Sequence, residues 1–336
     1  MAIVFITHPK GKFPQYFGEH ALLSLKSLAG VSEVRLNTSD HELSTHELIN
    51  EAQGCDALIA YRQTSAPESL FDGLPDLVAF LRCAVDIRTV DVNAASKNGI
   101  LVTQASPGYA ASVSEWILAA MVDLARGISD YAKQYHEGKL PLPHMGKELR
   151  GSTLGVIGYG EIGQYVTELA LAFGMRVLVN TLQPISDRER LTAVSFNKLL
   201  TDSDFVVCLA PANEQTNNLM NSDAFNNMRP GSFFINASRG ELVDETALMR
   251  SLNSGHLAGC ALDVGRAPDQ MPSLELAMHP KVLAAPHIGG LTPPAIEHQA
   301  LETVAQLKEL LELRIPRGVV NPLQAHRLIR WGHNNY

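Results

Sequence analysis

Two doubly wound α/β units of unequal size, each on a parallel sheet, are what this 336-residue sequence predicts. Three observations predict them. Short apolar runs alternate with helical patterns along most of the chain, and strands separated by helices pair in parallel with both faces covered. The alternation stops at a proline-bearing connection, KLPLPHMGKELRG, and then restarts. The length is more than one ordinary hydrophobic core serves, since single cores stop growing near roughly 250–300 residues.

In the first series, AIVFIT, SEVRLN, DALIAY, LVAFLRC and ILVTQ read as strands. YFGEHALLSLKSLAG and THELINEAQG between them read as helices, each closing near a glycine, the residue that most easily leaves a helix. SVSEWILAAMVDLARGISDYAKQYHEG then reads as one long helical pattern with Ser112 or Ser114 near its start. In the second series the strands are STLGVIG, MRVLVN, FVVCLA, GSFFINAS, GCALDV and VLAAPH. EIGQYVTELALAFG, DAFNNM and DETALMRSLNSG are helices among them. PPAIEHQALETVAQLKELLELRI is a final long helix whose prolines suit a first turn. The tail from Pro316 is less patterned.

Hydrophobic residues at 46% and charged residues at 18% fit a globular protein and exclude a disordered one. The net charge of -8 is spread over interspersed acids and bases, with no basic stripe, so nucleic acid is not expected as a partner. Cys55, Cys83, Cys208 and Cys260 lie far apart without a C-x-x-C pair, and three sit in apolar runs. They read as thiols of a reducing compartment. MAIVFITHPK has a short apolar core and no basic region before it, so it is expected to be a strand rather than a signal peptide. No apolar run approaches the ~18 residues of a membrane helix. The expected setting is the cytoplasm, with no membrane partner.

GVIGYGEIG places Gly158, Gly160 and Gly163 as G-x-G-x-x-G after a strand and at the opening of a helix. In that context the pattern reads as a dinucleotide site. Gly158 permits the tight turn, Gly160 lets a pyrophosphate approach the backbone, and Gly163 lets helix and strand pack closely. Tyr159, Glu161 and Ile162 complete the turn, and the helix N-terminus offers free N–H groups to the phosphates. A carboxylate is expected about 20 residues on to grip the ribose 2′-hydroxyl. The strand end there carries Asn180 and Thr181, neither acidic. Thr181 would not repel a 2′-phosphate, yet no arginine is adjacent; Arg188 and Arg190 lie further along. The cofactor is therefore expected to be NAD or NADP.

INASRGELVDETAL carries Arg239 in an N-x-x-R-G loop, and APHIGGLTPPAIEHQALETV carries His287. With GYGEIG and LRCAVDIRTVDVNAASKNGILVTQ, these segments resemble the D-isomer-specific 2-hydroxyacid dehydrogenases over about residues 55 to 322. The resemblance implies a Rossmann nucleotide domain, residues 104–290, inserted into a flavodoxin-like substrate domain, residues 1–103 and 291–336. It also implies a homodimer held largely by the nucleotide domains and the helix near Ser112 to Gly127. The implied reaction moves a hydride between nicotinamide and a small-molecule D-2-hydroxy acid or 2-oxo acid, bound in a cleft between domains.

In that reaction Arg239 is expected to grip carboxylate and carbonyl oxygens with its planar fork. His287 is expected to act as acid and base, because a histidine titrates near working pH. Family members carry a glutamate that hydrogen-bonds this histidine, five residues after the aspartate of the A-L-D-V strand. Here that aspartate is Asp263 and the fifth residue on is Pro268. Asp269 is the neighbouring candidate for the role, Glu275 a more distant one, and Asp263 is expected near the nicotinamide amide. Family members also carry a G-V-G-type segment whose N–H groups hold the substrate carboxylate. Here it reads Ala84-Val85-Asp86.

Val85 and Asp86 are expected to bind substrate through their N–H groups, and Arg62 stands where some members contact substrate. An Asp86–arginine pair, or Asp86 holding a hydroxyl or amine, would relieve a carboxylate beside an anion site. A larger polar 2-oxo acid is expected rather than pyruvate. Ala210, Pro211 and Thr216 are expected on the adenosine or nicotinamide ribose side, Ala237 and Ser238 before the arginine, and Gly289 near the nicotinamide. No metal site is expected, since His279, His287 and His298 lack ligand spacing. The rival reading is a nucleotide-binding regulatory or scaffold protein with reduced or lost turnover.

Overall fold

A computed structural model describes residues 1–185 and 189–334. All strand pairs in its two sheets are parallel. The first sheet contains β1 (Ala2–Ile6), β2 (Val31–Leu36), β3 (Ala57–Ala60), β4 (Ala79–Arg82) and β5 (Leu101–Gln104), in the order β2-β1-β3-β4-β5. The second contains β6 (Thr153–Ile157), β7 (Arg176–Asn180), β8 (Leu191–Ala193), β9 (Phe205–Cys208), β10 (Phe233–Asn236), β11 (Gly259–Leu262) and β12 (Val282–Ala284). Its order is β12-β11-β10-β9-β6-β7-β8. Both are α/β sheets in which strand order reverses beside the first strand, the place where such folds bind ligands.

The apolar strands serve two faces. In β1, Val4 and Ile6 join one core with Leu25, Leu307 and Leu310, while Phe5 between them joins another with Leu48 and Phe71. In β9, Phe205 and Val207 pack against Ile117 and Met121, while Val206 and Cys208 pack against Leu199 and Leu248. Alternate side chains point to opposite faces, so a strand covered on both sides reads as a continuous apolar run. Each large side chain so buried stabilises by about 1.5–3 kcal/mol. All four cysteines are buried and unpaired.

Local chemistry sets several element ends. Ser44 and Glu47 form a reciprocal capping box at the helix Thr45–Glu51. Asp91, Ser195, Asn221 and Asp244 each accept from a backbone N–H at a helix start. The long pattern after Ser112 divides into helices Ala110–Arg126 and Ile128–His136. Gly127 between them has φ 66, and Asp123 accepts from the Ser129 N–H and hydroxyl. The short elements Glu68–Gly73, Val92–Lys97, Phe196–Asp202 and β8 have no counterpart in the pattern reading, being too brief to display a period. No described helix is long and apolar enough to cross a membrane.

Contacts divide the chain into Met1–Gly108 with Pro293–Tyr336, and Tyr109–Thr292. The expected edges lay a few residues away, at 103/104 and 290/291. Past β5 the chain stays with the first unit because Glu302 accepts from the Ser106 N–H at 2.6 Å and from its hydroxyl at 2.8 Å. A Cβ on Gly108 would collide with the His298 ring. Within the second unit, the Ser112 and Thr292 hydroxyls meet at 2.7 Å and keep Thr292 there.

Candidate active site

In the second unit β6 runs into the glycine turn, and the helix Glu161–Ala172 starts directly after Gly160. The three glycines answer to different constraints. Gly158 has φ +94, and a Cβ there would press on the Leu209–Ala210 backbone at 2.7–2.8 Å. A Cβ on Gly163 would lie 2.5 Å from the Gly158 carbonyl, so helix and strand can approach only without it. Around Gly160 a Cβ would meet nothing within 4 Å. That open backbone follows Tyr159 and leads through Glu161 and Ile162 into the helix N-terminus, the kind of turn on which folds of this class hold a pyrophosphate. Glu161 is the exposed first residue of the helix.

Along the same strand ends, the Thr216 hydroxyl donates to the Pro211 carbonyl at 2.7 Å and closes the loop after β9. Ser238 donates to the Ala210 carbonyl at 2.6 Å, joining that loop to the one after β10, where Ala237 is buried. At the end of β7, Thr181 accepts from the Gln183 N–H, while the Asn180 amide donates to the Val194 carbonyl. Arg190 has its carbonyl bound by Val177. Arg188 lies outside the described residues.

Three neighbouring strands, β10, β11 and β12, end beside one another and lead into the candidate residues Arg239, Asp263 and His287. Arg239 follows β10 in extended backbone, with one guanidinium nitrogen donating to the Ser238 carbonyl at 2.8 Å. Asn236 braces this loop: its amide donates to the Arg239 carbonyl and its oxygen accepts from the Ser238 N–H. The N-x-x-R-G pattern contained that asparagine, although its role is visible only in the fold.

Asp263 follows β11 and is 3% exposed. Its carboxylate accepts from the Ile288 and Gly289 N–H groups, both at 2.8 Å. Burial pushes its pKa up, against the pull of those N–H groups and of the His287 charge. A Cβ on Gly289 would lie 2.7 Å from that carboxylate, which explains the glycine. The sequence reading set Asp263 beside the nicotinamide amide; the structure ties its carboxylate to the backbone after His287.

His287 follows β12 with φ 56, a strained value for a residue with a side chain. It is held there by its own N–H, which lies 2.9 Å from the Asp263 carbonyl and 3.0 Å from that of Ala285. Its Nδ1 lies 2.9 Å from a backbone oxygen, the carbonyl of Asp269. Asp269 is the candidate for the missing glutamate's role, and what His287 Nδ1 meets there is the Asp269 main-chain carbonyl. Pro268 opens the short 3-10 turn Pro268–Gln270 that presents this carbonyl.

The first unit carries the remaining candidates at its own strand ends. Arg62, after β3, lies with its guanidinium carbon 5.3 Å from the Tyr16 ring centroid. Val85 and Asp86 follow β4 and are partly buried. Asp86 pairs with Arg88 at 2.8 Å and also accepts from the Arg88 N–H at 2.9 Å. Its φ is not positive, so the site does not demand a glycine conformation. The arginine pair expected as one relief for Asp86 is formed, with Arg88.

Arg82, which the sequence reading passed over as the end of an apolar run, is fully buried. It donates to the carbonyls of Tyr61 and Thr64 and to the Thr89 hydroxyl, splicing the loops that carry Arg62 and Asp86. Burial pulls its pKa down to about 10.

Residues 118–289 match the model of the D-isomer specific 2-hydroxyacid dehydrogenase, NAD binding domain. The chain is similar to D-3-phosphoglycerate dehydrogenase of Synechocystis, 32% identical over 301 residues, covering 88% of this chain and 53% of that protein. It is similar to glyoxylate reductase of Thermococcus onnurineus, 29% identical over 308 residues, covering 88% and 92%. A crystal structure of a Thermus thermophilus protein shares the fold at TM-score 0.85 and 30% identity, covering 95% of this chain and 99% of that one. The chain spans about half the length of the curated phosphoglycerate dehydrogenases it matches. The glycine turn, the Arg239 loop and His287 all lie in the matched region, and the chain belongs to the D-isomer specific 2-hydroxyacid dehydrogenase family.

Proposed function

We propose that the protein is an NAD(P)-dependent oxidoreductase acting on a D-2-hydroxy acid or its 2-oxo acid. The observation that carries this reading is the placement of Arg239, Asp263 and His287 at the ends of three adjacent strands, in the unit that holds the glycine turn. When bound, the nicotinamide supplies or takes the hydride. The residues Gly158 to Gly163, Thr181, Ala210, Pro211, Thr216, Ala237, Ser238 and Gly289 would hold the nucleotide.

Arg239 grips the substrate carboxylate and polarises the carbonyl oxygen with its fork of donors. As that oxygen gains negative charge, His287 gives it a proton; in the reverse direction the neutral ring takes the proton back. Val85 and Asp86 offer N–H groups to the carboxylate, and Arg62 and Asp86 meet the rest of the molecule. A polar side chain on the substrate suits that charged pair of loops better than the methyl of pyruvate. Relatives named for 3-phosphoglycerate and glyoxylate are consistent with a polar or very small acid.

Thr181 in place of an acid leaves both NAD and NADP admissible. A cytoplasmic setting fits the four unpaired cysteines. A homodimer through the nucleotide unit fits Leu140, Leu142 and Met145, which are 87–97% exposed there.

The test is oxidation of NADH and NADPH with a panel of 2-oxo acids, beside His287→Ala. Turnover should fall by about 10²–10⁴ in the variant. If nucleotide binds and no acid gives turnover above the variant, the regulatory or scaffold reading replaces this one.

A further inference from the structure

An imidazole that moves protons must present one nitrogen to the substrate and have the other held. In His287 the held atom is Nδ1, 2.9 Å from the Asp269 main-chain oxygen. A carbonyl oxygen accepts and cannot donate, so the proton of this bond sits on Nδ1. Nε2 is then the atom that receives and releases the transferred proton.

The loop that presents this carbonyl is built rather than loose. Asp269 and Gln270 both adopt left-handed backbone, φ 56 and 60, which turns the chain sharply within the 3-10 turn. The Gly265 N–H donates to the Gln270 carbonyl at 2.7 Å and closes the turn on itself. Arg266 clamps it from outside. Its guanidinium donates to Asn218 Oδ1 at 2.6 Å, to the Glu241 carbonyl at 3.0 Å and to the Val243 carbonyl, while its own N–H donates to Glu245. Gly240 and Gly265 approach so closely that a Cβ on Gly240 would collide with the Gly265 carbonyl. The Arg239 loop and the Asp269 loop are thus locked to one another.

We infer that the main-chain carbonyl of Asp269, in a loop clamped by Arg266, fixes the tautomer and direction of His287 in place of a side-chain carboxylate. Asp269 and Arg266 are positioning residues: they act through His287. The inference rests on the proposed reaction for its consequence, although not for its geometry. Among the described residues, the charged groups bonded to this loop or facing the ring include Asp263, Glu241 and Glu245, beside the loop's own Arg266 and Asp269. A neutral acceptor at Nδ1 orients the ring without adding a full negative charge to hold the proton.

The experiment is heteronuclear NMR of the histidine nitrogens in the intact protein, paired with kinetics. With the ring neutral, His287 should show Nδ1–H; an Nε2–H pattern overturns the inference. Asp269→Asn, whose residue type tolerates left-handed backbone, should keep both the tautomer and the midpoint of the His287 titration. A changed tautomer or a lowered midpoint means the carboxylate was the partner, and the inference fails.

Arg266→Gln should give a mixture of tautomers and a kcat about 10- to 100-fold lower, with nucleotide affinity unchanged, as misplacement of a reacting group does. An unaltered tautomer in that variant overturns the clamp. The spectrum of the unaltered protein decides the tautomer whether or not the variant folds. Absence of turnover with every 2-oxo acid would count against the proposed reaction, while the spectra would still judge the inference.

Discussion

His8, just past β1, is 1% exposed among the rings of Phe13, Phe17 and Tyr61. Burial pushes its pKa down to about 3 from an ordinary 6.5. The folded protein therefore holds it neutral, while the unfolded chain protonates it below about 6.5. A depressed histidine contributes stability that is complete above the unfolded value and is lost as pH falls toward the folded one. Between pH 6.5 and 3 this single residue should remove on the order of 4 kcal/mol. Urea unfolding across that range should show the slope, and His8→Phe should flatten it. An equally steep slope in the variant would assign the acid sensitivity to other groups. Lone histidines look alike in a sequence; the same residue type is a buried ring at 8 and, in the reaction proposed, the proton carrier at 287. Only the neighbours that tertiary structure supplies separate them.

At the scale of elements, the strand–turn–helix from Thr153 to Ala172 was legible because three glycines at fixed spacing serve three separate steric demands. Those demands predict different phenotypes. Gly163→Val puts atoms against the Gly158 carbonyl, with no flexible side chain to yield, and should lower stability by about 1–3 kcal/mol while abolishing nucleotide binding. Gly160→Ala meets no protein atom, so its melting temperature should stay unchanged while NAD(P)H affinity falls. Thermal melts and fluorescence titration of both variants check the contrast; equal destabilisation by the two would refute it.

The loop Val264–Met271 was less legible. Counting from Asp263 located the position where an acid is expected and found Pro268. Counting cannot report that a main-chain carbonyl, common to every residue type, fills the role a side chain was expected to play. Arg266 was likewise visible as a residue between two aspartates and invisible as a clamp, because its acceptors lie on segments 218 and 241–243.

The whole molecule consists of two α/β units, one of them closed by a returning segment, Pro293 onward, whose helix packs Ala300, Leu307 and Leu310 into the first core. A chain that leaves a unit and returns to it must have two crossings, and the structure sets them after Gly108 and after Thr292. On this scale belongs the proposed homodimer. Leu140, Leu142 and Met145 stand almost wholly exposed in a stretch between helix and strand of the nucleotide unit. Leu142→Asp should shift the particle mass measured by light scattering from two chains toward one. A mass of one chain for the unaltered protein would remove the dimer from the reading.

The sequence by itself determined the fold class, the two-unit organisation and the candidates for the reactive residues. Continuous apolar runs at strand length admit little but buried parallel strands, and G-x-G-x-x-G or N-x-x-R-G are constraints among near neighbours in the chain. The tertiary structure alone decided which partner holds His287, that Arg82 is buried at the root of two loops, and that Asp86 is answered by Arg88. Hydrogen bonds to the main chain carry no residue label, and burial of a charge depends on distant segments. Both are settled by packing, after the local pattern has already done its part.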